Sequence, residues 1–170
     1  MTVFFYIASG VALLSTVLAL TRRNAMHALL YLIVSLLSVA MVFLLIGAYL
    51  VAALEVIIYA GAIMVFFIFV IMMLNIAEAP VPEGPDWIRP QAWLGPAILS
   101  MILAAELIAV LAKEGMGEGL AAVMPKQVGI ALYGPYMLGV ELASLILLAA
   151  LVGAFHLGRK AVSQSEREEG

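Results

Sequence analysis

Long apolar stretches separated by short polar breaks make up most of the chain. Five stretches reach the roughly 20 residues that a helix needs to cross a bilayer, and they cover residues 2–20, 25–46, 49–74, 92–112 and 136–157. The first stretch is followed by its arginines, Arg22 and Arg23, whereas a cleavable signal peptide carries its positive charges before the apolar run. The pattern therefore predicts an all-α membrane protein with five transmembrane helices, the first of them retained.

The polar breaks set the order of helices and loops. Residues 75–91 form the longest break and predict a loop, because proline interrupts a helix and four prolines fall there: Pro80, Pro82, Pro85 and Pro90. A second loop is predicted after residue 112, where several glycines and Pro125 occur. The third helix follows the second after a short turn near Gly47. A single five-helix membrane domain over residues 1–157 is therefore expected, followed by a charged tail over residues 158–170.

Basic residues predict the direction in which the chain crosses the membrane. With five crossings, six of the eight lysines and arginines fall on one side, namely Arg22, Arg23, Arg89, Arg159, Lys160 and Arg167. Because cytoplasmic segments are enriched in basic residues, the N-terminus is expected outside and the tail in the cytoplasm. Aromatic residues near the predicted membrane rims agree with this direction: Tyr6, Tyr49, Tyr133 and Tyr136 at the outer rim, and Trp87 and Trp93 at the inner rim.

Composition excludes several classes of protein. The chain is 66% hydrophobic and 11% charged, against about 45–50% and about 25% in soluble domains, so lipid is its main solvent. A net charge of -3 provides no electrostatic basis for binding nucleic acid. The absence of cysteine excludes iron–sulfur clusters, thiolate zinc sites and attached c-type haem on this chain. No metal, cofactor-binding or catalytic site is predicted here.

Three acidic residues lie inside the predicted membrane helices: Glu55, Glu106 and Glu141. Each lies about six residues from the outer end of its helix, or roughly 9 Å at 1.5 Å per residue. Two interpretations remain open, because ionisable groups at membrane depth are costly and usually face a bundle interior or water. The glutamates either reach the outer interface or pack against neighbouring helices, or they line an outward proton path.

The centre of the third helix carries a second set of candidates. Tyr59 lies four residues after Glu55, on the same helical face, and a buried phenol needs a hydrogen-bond partner. That partner is either a neighbouring helix or a chain of internal water that carries protons. Gly61 follows between Ala60 and Ala62; these small residues either allow close helix packing or lower the cost of a π-bulge.

Residues 55–75, read as EVIIYAGAIMVFFIFVIMMLN, resemble the third helix of the J-type membrane subunit of bacterial proton-pumping NADH:quinone oxidoreductase, respiratory complex I. The mitochondrial counterpart of that family is NADH dehydrogenase subunit 6. The resemblance rests on Tyr59, the small residues around Gly61, the run of Phe, Val and Ile, and the sequence Met-Met-Leu-Asn that ends at Asn75. Five helices with an external N-terminus are also similar to the family.

The resemblance implies a membrane-arm subunit that helps couple quinone reduction to proton translocation and is not catalytic alone. It implies that Tyr59 lies on a water path, that Gly61 is the hinge of a helix able to form a π-bulge, and that Val65 and Phe67 lie on the moving segment. FMN, iron–sulfur clusters and quinone are then expected in partner subunits, among them the H-, A-, K- and antiporter-type subunits. The implied location is the bacterial inner membrane, crossed several times and in contact with lipid.

Two alternatives stay open from the sequence alone. The chain is also consistent with a J-like subunit of a cation/proton antiporter complex, whose membrane arm is similar to that of complex I. It is further consistent with a purely structural subunit that helps neighbouring helices assemble. Variants of Tyr59 or Gly61 that assemble without activity would argue against the structural alternative.

Overall fold

The computed structural model describes residues 2–22, 24–74, 90–112 and 123–158. Most of the predicted proline-rich loop and the tail from residue 159 lie outside the described residues, as do Trp87 and Lys113. Within the described ranges the secondary structure is entirely helical. The helices are α1 (Thr2–Thr21), α2 (Ala25–Leu45), α3 (Tyr49–Leu54), a π-helical segment (Glu55–Ile63), α4 (Met64–Leu74), α5 (Pro90–Ala112), α6 (Pro125–Tyr133) and α7 (Met137–Gly158).

Five helices of the described chain are long and apolar enough to cross a membrane, which confirms that prediction. They are Thr2–Thr21, Ala25–Leu45, Tyr49–Met73, Trp93–Ala112 and Met137–Gly158. The third of them is continuous and consists of α3, the π segment (Glu55–Ile63) and α4; it is called the third helix below. Helix ends agree with the predicted ends to within two residues, because polar residues, proline or the turn at Gly47 interrupt the apolar stretches.

Two helical regions extend into predicted loops. Helix α5 begins at Pro90, which had been assigned to the loop; proline is tolerated in the first helical turn, where its missing N–H has no helical partner to lose. Helix α6 also begins with a proline, Pro125, and ends before Gly134 and Pro135. With nine residues it is too short to give a spanning signal, so the hydropathy pattern did not reveal it.

The turns on either side of α2 have well-defined caps. The side chain of Asn24 accepts hydrogen bonds from the backbone N–H groups of Met26 at 2.9 Å and His27 at 3.4 Å, which satisfies donors that the first helical turn leaves free. At the other end Gly47 has a φ of 85°, a left-handed conformation that favours glycine. The N–H of Ala48 then reaches the carbonyl of Phe43 at 2.9 Å, so the chain reverses in a Schellman turn.

Contacts divide the chain into two compact units, Met1–Met124 and Pro125–Gly170. In the first unit α2 is central and packs against α1, the third helix and α5. Small and hydroxyl side chains line the contact of α1 with α2, where the Ser38 Oγ donates a hydrogen bond to the Ala8 carbonyl at 2.5 Å. In the second unit α6 contacts α7.

Candidate functional site

The π segment replaces nine residues of α-helix in the middle of the third helix. In a π-helix each N–H bonds to the carbonyl five residues earlier, and π-helical turns inside α-helices occur frequently at functional sites. The segment ends at Met64, whose N–H bonds to the carbonyls of Tyr59 and Gly61. The predicted hinge residues Ala60, Gly61 and Ala62 lie within it.

Gly61 leaves space for a close approach of its own backbone to the previous turn. A Cβ atom added at residue 61 would lie 3.1 Å from the carbonyl oxygen of Val56, which is the oxygen five residues earlier and therefore the π-helical acceptor. Any other residue at this position would crowd that oxygen. The glycine thus favours the π-helical conformation for a steric reason as well as by its low preference for the α-helix.

Two buried residues hold the third helix on either side of the π segment. Ala52 is 6% exposed and Met64 is 5% exposed, while no residue of the π segment itself is buried. The third helix is in contact with α2 along this part of the chain. The π segment itself also contacts α2, but its side chains are less buried than these two flanking residues.

An apolar cavity of about 450 Å³ lies beside the π segment, between α2, the third helix and α5. Its lining includes Val56 from the π segment and Ala52 and Ala53 from α3. Close-packed interiors change conformation only where neighbouring atoms leave room. The cavity supplies such room on the side of Val56.

Glu55 and Tyr59 lie on the outer side of the third helix, away from the core of this chain. Tyr59 is 49% exposed and Glu55 is partly exposed, and the described residues include no hydrogen bond between them. Val65 and Phe67 are also exposed, on the α-helical continuation after the π segment. Polar side chains of this kind at membrane depth do not normally face lipid, so a surface of another protein chain is expected to cover this face.

The three glutamates occupy different environments. Glu106 is 4% exposed on α5 and lies inside the first unit, so its side chain does not reach the surface of this chain. Glu141 is exposed on α7, in the second unit. Glu55 and Glu106 do not share one face, because Glu55 is partly exposed on the third helix whereas Glu106 lies within the bundle. Among the residues that the structure describes, no three histidine, aspartate or glutamate side chains form a group able to hold a metal ion.

Some residues of the site have no clear signature in the sequence. Met64 and Ala52 resemble the apolar residues around them, and only the structure distinguishes them as the buried anchors. Ser35 and Ser38 lie three residues apart on α2, and this helical spacing is a signal for a polar contact between helices. The order of the serines along α2 could therefore have indicated the contact with α1.

Comparison with known proteins identifies the family. Residues 15–157 match the family of NADH-ubiquinone/plastoquinone oxidoreductase chain 6. The chain belongs to this family. Among its relatives, the NADH-quinone oxidoreductase subunit J of Pseudomonas aeruginosa is 54% identical over 162 residues, covering 94% of this chain and 98% of the relative. The subunit J of Escherichia coli strain K12 is 50% identical over 157 residues, covering 92% of this chain and 85% of the relative.

A more distant relative agrees with this assignment. The NADH-quinone oxidoreductase subunit J of Buchnera aphidicola subsp. Schizaphis graminum is 45% identical, and the alignment covers 92% of this chain and 96% of that protein. The family resemblance predicted from the third helix is thus confirmed over nearly the whole chain. The π segment lies inside the region that the family covers.

Proposed function

We propose that this chain is the J-type membrane subunit of a proton-translocating NADH:quinone oxidoreductase and that its third helix helps couple quinone reduction to proton movement. The observation that carries the proposal is the π segment around Gly61, in a chain of this family. The absence of cysteine excludes an iron–sulfur cluster on this chain, and FMN, iron–sulfur clusters and quinone are assigned to partner subunits as part of this proposal. Its own residues contribute a conformational element and not a redox centre.

The mechanism uses two conformations of the third helix. A residue advances by about 100° around an α-helix, which has 3.6 residues per turn, and by less around the wider π-helix. Conversion of the π segment to α-helix therefore rotates α4 relative to α3, and with it Val65 and Phe67. Quinone reduction elsewhere in the complex biases this equilibrium by interacting more favourably with one form than with the other.

Tyr59 is proposed to link the rotation of α4 to proton movement. Its hydroxyl both donates and accepts hydrogen bonds, so it is suited to extend a chain of internal water, and Glu55 lies one turn earlier. Both side chains lie on the exposed face of the third helix. The water path is therefore expected between this chain and neighbouring subunits of the membrane arm, of the H-, A-, K- or antiporter type, and not within the chain.

The direction of insertion is part of the proposal. The distribution of basic residues supports an external N-terminus and a cytoplasmic C-terminus in the bacterial inner membrane. In this orientation Glu55 and Glu141 lie near the outer ends of their helices, so a proton that passes them is close to release. Glu141 then remains a candidate on the outward part of the path.

The decisive experiment measures assembly and coupled activity in the same preparation. Tyr59→Phe removes only the hydroxyl, so the purified complex is expected to contain all its subunits and to pass electrons from NADH to an artificial acceptor at the normal rate. Loss of one hydrogen bond is worth about 1 kcal/mol, which corresponds to coupled quinone reduction and proton pumping that are roughly fivefold slower. The matched control is Tyr6→Phe, on an exposed part of α1.

The outcomes separate the alternatives. Normal pumping by the Tyr59→Phe complex would contradict the role of the hydroxyl. If the chain is purely structural, every variant that assembles should also pump protons normally. If it takes part in coupling, Tyr59→Phe should assemble and pump more slowly. A complex that contains this chain but does not oxidise NADH would favour the antiporter alternative, although the relatives compared above carry the name of the NADH-quinone oxidoreductase subunit.

A further inference from the structure

Glu106 is a charged residue type in the most apolar part of the first unit. It lies between Leu103 and Val110 on one face of α5, at the helical spacings of three and four residues. Leu103 belongs to a buried cluster that includes Val11 and Val34, and Val110 belongs to a second cluster that includes Ala8 and Met41. Glu106 is therefore enclosed by α1, α2 and α5 between two apolar layers.

Neither carboxyl oxygen of Glu106 has a hydrogen-bond partner among the described residues. The enclosure is formed by this chain alone, so a side chain of another subunit cannot supply a partner without separating these helices. A carboxylate buried without a partner is strongly disfavoured relative to the protonated acid, which carries no charge. The protonated acid also gains an O–H donor, which can bond to a backbone carbonyl of its own helix.

In the part of the chain that the structure describes, no charged group is paired with Glu106. Helices α1 and α2 pack against α5, and their titratable groups are Tyr6, His27 and Tyr31, with Arg22 just after α1. The third helix faces α5 across the cavity and carries Tyr49, Glu55 and Tyr59. Tyr31 interacts with Arg22, and His27 lies eleven residues before Ser38, or about 16 Å along α2. None of these groups forms a hydrogen bond with Glu106.

Hydroxyl groups lie on the helices that face the carboxyl group. Ser38 lies between Val34 and Met41 on α2, at the same level of the bundle as Glu106 between Leu103 and Val110. One turn further along α2, the Ser35 Oγ is hydrogen-bonded to the Thr16 Oγ1 at 2.7 Å. The Ser38 and Ser35 hydroxyls donate hydrogen bonds to the carbonyls of Ala8 and Ala12 on α1, so the hydroxyl groups described here are engaged between α1 and α2 and leave Glu106 without a partner.

We propose that Glu106 is a proton-binding site enclosed by α1, α2 and α5, separate from the face that carries Glu55 and Tyr59. The carboxylate takes up one proton from the aqueous phase near the end of α5, about six residues or 9 Å away, to form a carboxylic acid. The acid keeps the proton while the three helices are packed together, and the same proton returns to water when they separate. Proton binding by Glu106 does not depend on the function proposed above, whereas a contribution of this proton to pumping does.

Infrared difference spectroscopy of the purified complex tests the site directly. Absorption spectra are recorded in H₂O and after exchange into D₂O for the complex with the unmodified chain and with Glu106→Gln, which is uncharged and nearly isosteric, and the spectrum of the variant is subtracted from that of the unmodified complex. We expect one protonated carboxyl C=O band, shifted in D₂O, to be lost completely in Glu106→Gln. The same band should remain in Glu55→Gln and Glu141→Gln, the matched controls on exposed faces.

Two results would overturn the proposal. Retention of every carboxyl band in Glu106→Gln would mean that the group is not protonated. If Glu106→Gln does not assemble, Glu106→Asp serves instead, because it keeps the carboxyl group on a shorter side chain; a C=O band at the same position in Glu106→Asp as in the unmodified complex would then mean that the band does not belong to Glu106. The test is independent of the function proposed for the third helix, because normal pumping by Tyr59 or Gly61 variants would contradict that function and leave the Glu106 band unchanged.

Discussion

The carbonyl oxygen of Val56 lies 3.1 Å from the position that a Cβ atom at residue 61 would occupy. The two residues are five positions apart and are therefore hydrogen-bonding partners in a π-helix but not in an α-helix. A side chain at residue 61 thus disfavours the π-helical form specifically. This contact makes the conformational equilibrium of the third helix accessible to a single substitution.

Gly61→Ala is expected to shift the third helix towards the α-helical form. Alanine is preferred to glycine in α-helices by about 1 kcal/mol, and crowding of the Val56 oxygen adds to this. A total bias of about 1–2 kcal/mol changes the ratio of the two forms roughly 5- to 30-fold. The rate of coupled quinone reduction should decrease by a factor in the same range. The measurement is the rate of proton pumping by the reconstituted complex.

The matched control for this prediction is Gly10→Ala. A Cβ at residue 10 has no heavy atom within 4 Å, and Gly10 lies in the middle of α1. Gly10→Ala raises the helix preference by the same amount without crowding a carbonyl oxygen. The complex that carries it should therefore pump protons at the normal rate. Equal pumping by both variants at the unmodified rate would show that Gly61 is only a packing residue.

Met64→Ala is expected to destabilise the end of the π segment. Met64 is 5% exposed, and its truncation leaves a cavity where the third helix is anchored. In soluble cores such a change costs about 2–5 kcal/mol; we expect less here, about 1–2 kcal/mol, because exposed apolar groups are solvated by lipid and only the packing contacts are lost.

Thermal dissociation of the complex measures this effect, and Met73→Ala provides a control of the same residue type. Met73 is 83% exposed on the same helix. A lower dissociation temperature is expected for Met64→Ala than for Met73→Ala. The reverse order would mean that the contact with neighbouring subunits, and not the contact with α2, holds the third helix.

Hydropathy was sufficient to predict the five spanning helices, because each is long and apolar, and the second and third are divided by the glycine turn at Gly47. It was not sufficient to predict which side of a helix faces the interior. The membrane helices are apolar on all sides, so the amphipathic pattern that marks the buried face of a soluble helix is missing. For this reason the hydropathy pattern does not distinguish Glu106 from Glu141, whereas in the structure Glu106 is buried and Glu141 is exposed.

The π segment was partly predictable for a different reason. Gly61 between two alanines indicated where the helix is able to change its winding, and the structure places π-helix there. The length of the segment and the anchoring role of Met64 depend on contacts with α2, which no local pattern encodes. The interior position of Glu106 likewise depends on contacts between helices that are distant in sequence.

Gly95→Ala is expected to disrupt the contact of α5 with α2. A Cβ at residue 95 would overlap the hydroxyl of Tyr31, which is buried and accepts a hydrogen bond from the Arg22 guanidinium at 3.2 Å. Overpacking of this kind costs about 1–3 kcal/mol, so the dissociation temperature of the complex should fall. Gly139→Ala on α7 is the control, since no heavy atom lies within 4 Å of its added Cβ.

A double variant identifies the cause of that loss. Tyr31→Phe removes the overlapping oxygen and keeps the ring, so Gly95→Ala should cost less when Tyr31→Phe is also present. The difference between the combined effect and the sum of the single effects measures the interaction of the two residues. Simple additivity would contradict a steric contact between Gly95 and the Tyr31 hydroxyl.

Single cysteines are expected to report the direction of insertion, because the natural chain contains no cysteine to compete for the reagent. Thr2, Lys126 and Gly158 are exposed positions at helix ends or in α6. An impermeant maleimide added to spheroplasts should label Thr2→Cys and Lys126→Cys, and added to inverted vesicles it should label Gly158→Cys. The opposite labelling pattern would reverse the proposed orientation and place Glu55 near the cytoplasmic surface. Labelling of both Thr2→Cys and Gly158→Cys from the same side would contradict an odd number of membrane crossings.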